Sequence, residues 1–178
     1  MIARLVGSEM CIRDSLGQHA DGLVCMTDAD ALLQPGCLKR MMQWFADPMV
    51  GAVGAVPQRA QERPEERLHR DSWEAMRLAE SMVDSTPFLE GSCMMWRPSC
   101  LAINELHPSA NADDAQIATS VRCRGWRAIA DPMARFVDVA PSTLMGQRRQ
   151  KVRRAQGLQR LLIPVSYTHL RAHETSNH

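Results

Sequence analysis

The chain of 178 residues carries a formal net charge of +1, with 45% hydrophobic and 23% charged residues. This is the balance of one globular domain able to bury a core, and it excludes a largely disordered chain. No run of about 18 apolar residues is present, so the stretch encodes no complete transmembrane helix, and the near-neutral total argues against a polyanionic partner. The basic side chains are almost all arginine, with only Lys39 and Lys151 as lysines. Cys11, Cys25, Cys37, Cys93, Cys100 and Cys123 form no CxxC pair and show no zinc spacing. They read as reduced, mostly buried thiols.

The two ends stand apart. Residues 1–15, with the run from Leu5 to Ser15, resemble translated adapter sequence from sequencing libraries, and residues 165–178, with the run from Val165 to Thr175, resemble the companion adapter. Both are expected to be non-native tails around a native stretch at 16–164, and they are set aside before fold reasoning. His169, His173 and His178 are accordingly not read as a metal site.

Leu23 to Thr27 is a short apolar run ending in Asp28-Ala-Asp30, a buried strand leading into an acidic loop. Pro35 opens a helix with Leu38, Met41, Met42 and Phe45 at helical spacing, which stops near Asp47-Pro48. Val50 to Val56 is a second buried strand. Strand, helix and strand in sequence predict a βαβ unit, a parallel pair with a right-handed crossover. Ligands of such sheets sit beyond the carboxyl ends of the strands, where Asp28 and Asp30 fall. After a polar connection from Pro57 to Pro64, Glu65 to about Asp84 reads as a long helix with Leu68, Trp73, Met76, Leu78, Ala79 and Met82 available for a buried face. Cys93 to Trp96 reads as a strand, Pro98 to Leu106 as a short helix, and Asp113 to Cys123 as a helix with acidic residues in its first turn, ended by Gly125. Trp126 to Ala130 and Arg135 to Val139 read as two strands. Residues 142–163 form a basic amphipathic helix whose apolar stripe is Leu144, Val152, Ala155, Leu158 and Leu162.

Charge is uneven along this frame. Residues 16–112 hold 8 basic and 13 acidic side chains, whereas residues 113–160 hold 10 basic and 4 acidic ones. An acidic half able to hold a cation and a basic half able to hold an anion suit a metal–phosphate ligand, although chance produces the same split.

Four groups of residues could carry chemistry. Asp28 and Asp30, one residue apart at the mouth of a strand, can hold a hard divalent cation with its bound phosphates, or can form a solvated turn that caps the next helix. Asp113 and Asp114 are adjacent like charges, costly unless solvated or used; one can serve as a general base, or both can cap a helix. The run from Arg148 to Gly157, with Gln150, Arg153 and Arg154, offers guanidinium forks suited to diphosphate oxygens. It equally suits a solvated face or a membrane-surface helix, and it lacks the interleaved aromatics of a nucleic-acid binder. Gly91-Ser92 permits close backbone approach by a ligand, and Trp96 offers an indole either to a sugar face or to the core.

The ordered set is strand-DAD, GS turn with Trp-Arg, DD before a helix, strand pair ending at Ala140-Pro141, then Gln150 to Gly157. It is similar to the processive or membrane-linked branch of glycosyltransferase family 2, known for a DxD, an acidic pair and a QxxRW motif. The resemblance covers nearly all of Leu16 to Leu162. It implies a partial α/β GT-A fold, Rossmann-like, with a mixed sheet flanked by helices and the amino-terminal nucleotide-binding half missing. It also implies an inverting transfer of sugar from a nucleotide-diphosphate donor, UDP-linked, to a glycan or lipid-linked hydroxyl acceptor, assisted by Mg²⁺ or Mn²⁺.

Matched residue by residue, Asp30 binds the metal and Asp28 the metal or the nucleotide sugar. The resemblance makes Asp114 the expected catalytic base. Asp113, Gly91, Ser92 and Trp96 attend the acceptor. Gln150, Arg153 and Arg154 contact the diphosphate, with Arg154 standing where the motif has Trp. The resemblance further implies work at the cytoplasmic face of the cell membrane through parts not present here, no nucleic-acid partner, and no competence of this stretch as an enzyme by itself. The competing reading is a non-enzymatic module whose basic helix binds an anionic membrane or nucleic acid.

Overall fold

The structure, a computed structural model, describes residues 22–58, 64–101, 113–138, 145–146 and 148–160. Both terminal tails, Cys11 and the strand-pair ending at Ala140-Pro141 lie outside these residues. In chain order come β1 (Val24–Thr27), β2 (Leu32–Leu33), helix α1 (Cys37–Trp44), β3 (Val50–Gln58), α2 (Pro64–Val83), β4 (Cys93–Trp96), a 3-10 turn (Pro98–Cys100), α3 (Asp113–Cys123) and β5 (Arg127–Val137). Residues 148–160 form a further helix, α4.

The strands make one mixed sheet in the order β1-β4-β3-β5-β2. β3 and β5 pair parallel, and the remaining pairs are antiparallel. The expected neighbouring pair of β1 and β3 is corrected. Both strands point the same way because each is antiparallel to β4, but β4 lies between them. The inserted strand sets Cys93 opposite Thr27, so the Gly91-Ser92 turn arrives beside the carboxyl end of β1.

The apolar runs are continuous because the sheet is covered on both faces. Met94 and Trp96 turn toward one layer with Ile117, Ala118 and Val121 of α3. Cys93 and Met95 turn toward the other with Cys37 and Met41 of α1. Cys37, Cys93 and Cys100 are buried free thiols, Cys25 is half-buried, and Cys123 is exposed. Gly51 allows α3 to approach β3 closely: a Cβ there would stand 2.7 Å from Val121 Cγ1 and 2.8 Å from Trp126 Cβ. Gly51→Val is therefore expected to destabilise the chain by roughly 1–3 kcal/mol or more through overpacking. A denaturant melt unchanged from the parent would contradict this packing.

Three other expectations change. The two strands at 126–130 and 135–139 are one strand, β5, interrupted by an irregularity in its pairing with β3 between Gly54 and Val56. Asp131 sits there fully buried. It accepts hydrogen bonds from Met133 N (2.9 Å), Arg40 Nε (2.8 Å) and Trp44 Nε1 (2.7 Å), and so ties α1 to the bulge. The short helix after Pro98 is a single 3-10 turn, with Leu101 extended.

The third change concerns α2. Its apolar side chains are mostly not buried, and Leu68 (71% exposed), Trp73, Met76 and Met82 face outward. Leu78 alone of these packs against the core, and the helix otherwise docks through polar contacts. Glu74 accepts from Arg135 Nη1 at 3.0 Å, Ser81 Oγ accepts from Ala130 N at 2.9 Å, and Arg127 donates to the Ser81 and Asp84 carbonyls. Of the expected α4 stripe, Val152 and Ala155 are exposed and Leu158 is half-buried, while Leu144 and Leu162 lie outside the described residues; Gln150 is half-buried and Gly157 buried. Among the described residues no helix is long and apolar enough to cross a membrane.

Candidate active site

The turn before β4 organises the site. Cys93 N donates to the Glu90 carbonyl at 3.2 Å and closes Glu90-Gly91-Ser92 into a tight loop. On one side it grips the end of β1. Ser92 Oγ donates to Asp28 Oδ2 at 2.7 Å, Asp28 N donates to the Ser92 carbonyl at 3.2 Å, and Thr27 Oγ1 donates to the same carbonyl at 3.1 Å. On the other side the loop lies against Asp114: a Cβ on Gly91 would stand 3.4 Å from Asp114 Cβ and 3.5 Å from its Oδ2. One three-residue turn thus brings together two acids that are far apart in the chain.

Asp114 lies in the first turn of α3, where acidic groups suit the helix dipole, and its Oδ1 accepts Ala115 N at 2.8 Å. The capping role and a place in the site are therefore compatible. Burial pushes the Asp114 carboxyl above the ordinary carboxylate range, and the negative charge of Glu90 pushes it the same way. The Ala115 and Gly91 amides and the Arg154 guanidinium oppose that rise without cancelling it. A carboxylate held at a raised pKa beside a close-approach turn is equipped to take a proton.

Arg154 belongs to the face of α4 that carries Gln150 and Gly157, the residues turned toward the body, and its charge acts on Asp114. Arg154 is itself exposed, as is Arg153, which stands roughly 100° around the helix from it. Asp28 and Asp30 are exposed on the loop after β1. Among the described residues no three His, Cys, Asp or Glu side chains group into a metal cage. Two carboxylates whose remaining ligands come from phosphate oxygens and water are, however, a donor set that Mg²⁺ or Mn²⁺ accepts. Asp113 opens α3 and is half-buried.

Trp96 does not serve an acceptor. It is 1% exposed, packed among Ala52, Met94, Ile117 and Val121, and presents no indole face to a sugar. The exposed indole of this region is Trp73 (43%), in edge contact with His69 and Phe88. Sequence reading also passed over Arg77 and Glu90, which form a mostly buried ion pair at 2.5 Å behind the turn. The signal for that pair, a polar residue on an otherwise apolar helical stretch, does not reveal its partner.

Comparison with known proteins places this geometry. Residues 7–157 match the profile described as glycosyltransferase like family 2. No curated protein sequence matches the chain significantly. Among solved structures, the chain is similar to the mannosyltransferase PcManGT of Pyrobaculum calidifontis in complex with GDP-Man and Mn²⁺. The TM-score is 0.74 at 31% identity, over 90% of this chain and 44% of that one. A mycobacterial protein of 15% identity shares the fold, with a TM-score of 0.51 over 82% of this chain and 48% of its own. The chain thus spans under half the length of either structure, and with the family profile matched over most of its residues it belongs to glycosyltransferase family 2, with part of a GT-A fold.

Proposed function

We propose that these residues form the catalytic half of an inverting, metal-assisted transferase that moves a sugar from a nucleoside-diphosphate donor to a hydroxyl of a glycan or lipid-linked acceptor. One observation carries the reading: the Glu90-Gly91-Ser92 turn touches both Asp28 and Asp114, and Arg154 acts on the same Asp114. Asp28 and Asp30 are the residues that would hold a divalent cation, with Ser92 orienting the Asp28 carboxylate. When bound, the cation supplies positive charge for the departing diphosphate.

Arg154, and Arg153 and Gln150 beside it, add hydrogen-bond donors toward phosphate oxygens. Asp114 accepts the proton of the acceptor hydroxyl as that oxygen attacks the anomeric carbon from the face opposite the leaving diphosphate. Asp113, Gly91 and Ser92 line the acceptor side. The mannosyltransferase neighbour makes GDP-mannose the first donor to test, ahead of the UDP-linked donor that the sequence resemblance implies. Membrane attachment and a place at the cytoplasmic face belong to the same proposal.

Calorimetry of the intact enzyme that contains these residues with GDP-mannose, with and without Mn²⁺, tests it. Binding that requires Mn²⁺ is expected. Binding of anionic vesicles or of nucleic acid, with none of Mn²⁺–GDP-mannose, would favour the non-enzymatic basic module instead.

A further inference from the structure

Arg77 is 7% exposed on α2, and its Nη1 lies 2.5 Å from Glu90 Oε1, whose side chain is itself mostly covered. Such a pair is a poor device for stability alone, because desolvating two charges costs about what their attraction returns and apolar replacements serve as well. Its location is what distinguishes it. Glu90 begins the turn whose next residue lies on Asp114 and whose last residue hydrogen-bonds Asp28. Arg77 is in turn held by its helix, which meets β5 through Glu74, Ser81 and Asp84.

We propose that Arg77 and Glu90 are positioning residues of the site: the guanidinium clamps the Glu90 carboxylate, and this sets both the place of the Glu90-Gly91-Ser92 turn between the two acids and the charge that Asp114 faces. The role in catalysis rests on the transferase reading above. The geometry does not, because it concerns groups of this chain alone. Among the described residues, the charged groups acting on Asp114 are Glu90 from the turn and Arg154 from α4; Asp113 precedes it on its own helix, and Arg77 stands behind Glu90. Glu90 and Arg154 act in opposite directions on the Asp114 proton, and Glu90 adds to the effect of burial.

The test is a carboxyl-carbon NMR titration of Asp114 in the 178-residue chain, with folding checked by circular dichroism. Glu90→Gln, nearly isosteric and uncharged, is expected to move the Asp114 midpoint down. Arg77→Met is expected to move it up, since the Glu90 charge then faces Asp114 unbalanced. Arg77→Lys is expected to return it toward the parent value. A general loosening of the fold would expose Asp114 and move both Glu90→Gln and Arg77→Met downward.

The proposal is overturned if Glu90→Gln folds and leaves the midpoint in place, or if Arg77→Met folds and shifts it the same way as Glu90→Gln. Should Arg77→Met fail to fold, Glu90→Gln decides alone. The titration uses no donor or metal. Opposite shifts in this chain, with no Mn²⁺–GDP-mannose binding by the intact enzyme, therefore uphold the pair and sink the transferase reading, whereas binding by the intact enzyme without those shifts does the reverse.

Discussion

Replacing Asp114 by asparagine is expected to lower the rate of sugar transfer in the intact enzyme by roughly 10²–10⁴-fold, the usual worth of a positioned general base. The same substitution is expected to raise the thermal midpoint of this chain near neutral pH. Both effects follow from one feature: burial and the facing Glu90 hold the Asp114 carboxyl above its ordinary range. The folded chain then binds that proton more tightly than the unfolded chain does. Its contribution to stability is fully present below the unfolded-state pKa and is lost as pH rises through the raised folded-state value. Above that value an ionised carboxylate is kept partly desolvated at a cost, and asparagine removes the cost while keeping the shape and the acceptor for Ala115 N.

For the rate the sign is reversed. Only the ionised form accepts a proton, so kcat falls as pH drops through the raised pKa, and the acidic limb of the profile lies above the range of a free aspartate. Scanning calorimetry and a kcat–pH profile measure the two effects. A variant that loses stability at neutral pH and keeps its rate would show that Asp114 is only a helix cap.

Asp28→Asn is expected to abolish the Mn²⁺ dependence of donor binding, and Ser92→Ala to weaken it by about 10–100-fold, the scale of losing a residue that orients a metal ligand. Asp28 gives Oδ2 to the Ser92 hydroxyl, and its amide is fixed on the Ser92 carbonyl, so the carboxylate is held before any cation arrives. Asp30, exposed on the same loop, is free to turn toward the ion. Calorimetric titration of Mn²⁺ in the presence of GDP-mannose separates these variants. Equal affinity in the parent and in Asp28→Asn would remove the acidic loop from the site.

Much of this arrangement was legible in the amino-acid sequence, for reasons that lie in particular residues. The run Val50–Val56 reads as a strand because a sheet covered on both faces takes short, continuously apolar runs, and the structure extends it to Gln58. The acidic loop is placed by its position after β1, a local fact. The order of the strands is not local. That β4 enters between β1 and β3 depends on pairing Thr27 with Cys93 across a long stretch of chain.

Exposure is equally non-local. Trp73 and Trp96 are the same residue type on apolar stretches, yet tertiary packing buries one in the sheet layer and leaves the other outside. On α2 the periodic apolar positions predict an inward face, but apart from Leu78 the inward contacts are made by Glu74 and Ser81, because β5 offers Arg135, Arg127 and the Ala130 amide as partners, and by Arg77, which meets Glu90. The acidic pair was legible as chemistry, while the raised carboxyl of Asp114 depends first on burial and then on Glu90, both of which only the fold supplies.

The central claim is that Asp28, Asp30, the Glu90-Gly91-Ser92 turn and Asp114 surround one donor site. Paramagnetic broadening by Mn²⁺ measures this most directly. Adding Mn²⁺ with GDP-mannose to the isotopically labelled intact enzyme is expected to broaden the amide signals of residues 28–31, 91–92 and 114–115 together, and Asp28→Asn is expected to remove the effect at all three places. Broadening confined to one of these segments, or centred on another part of the sheet, would contradict it.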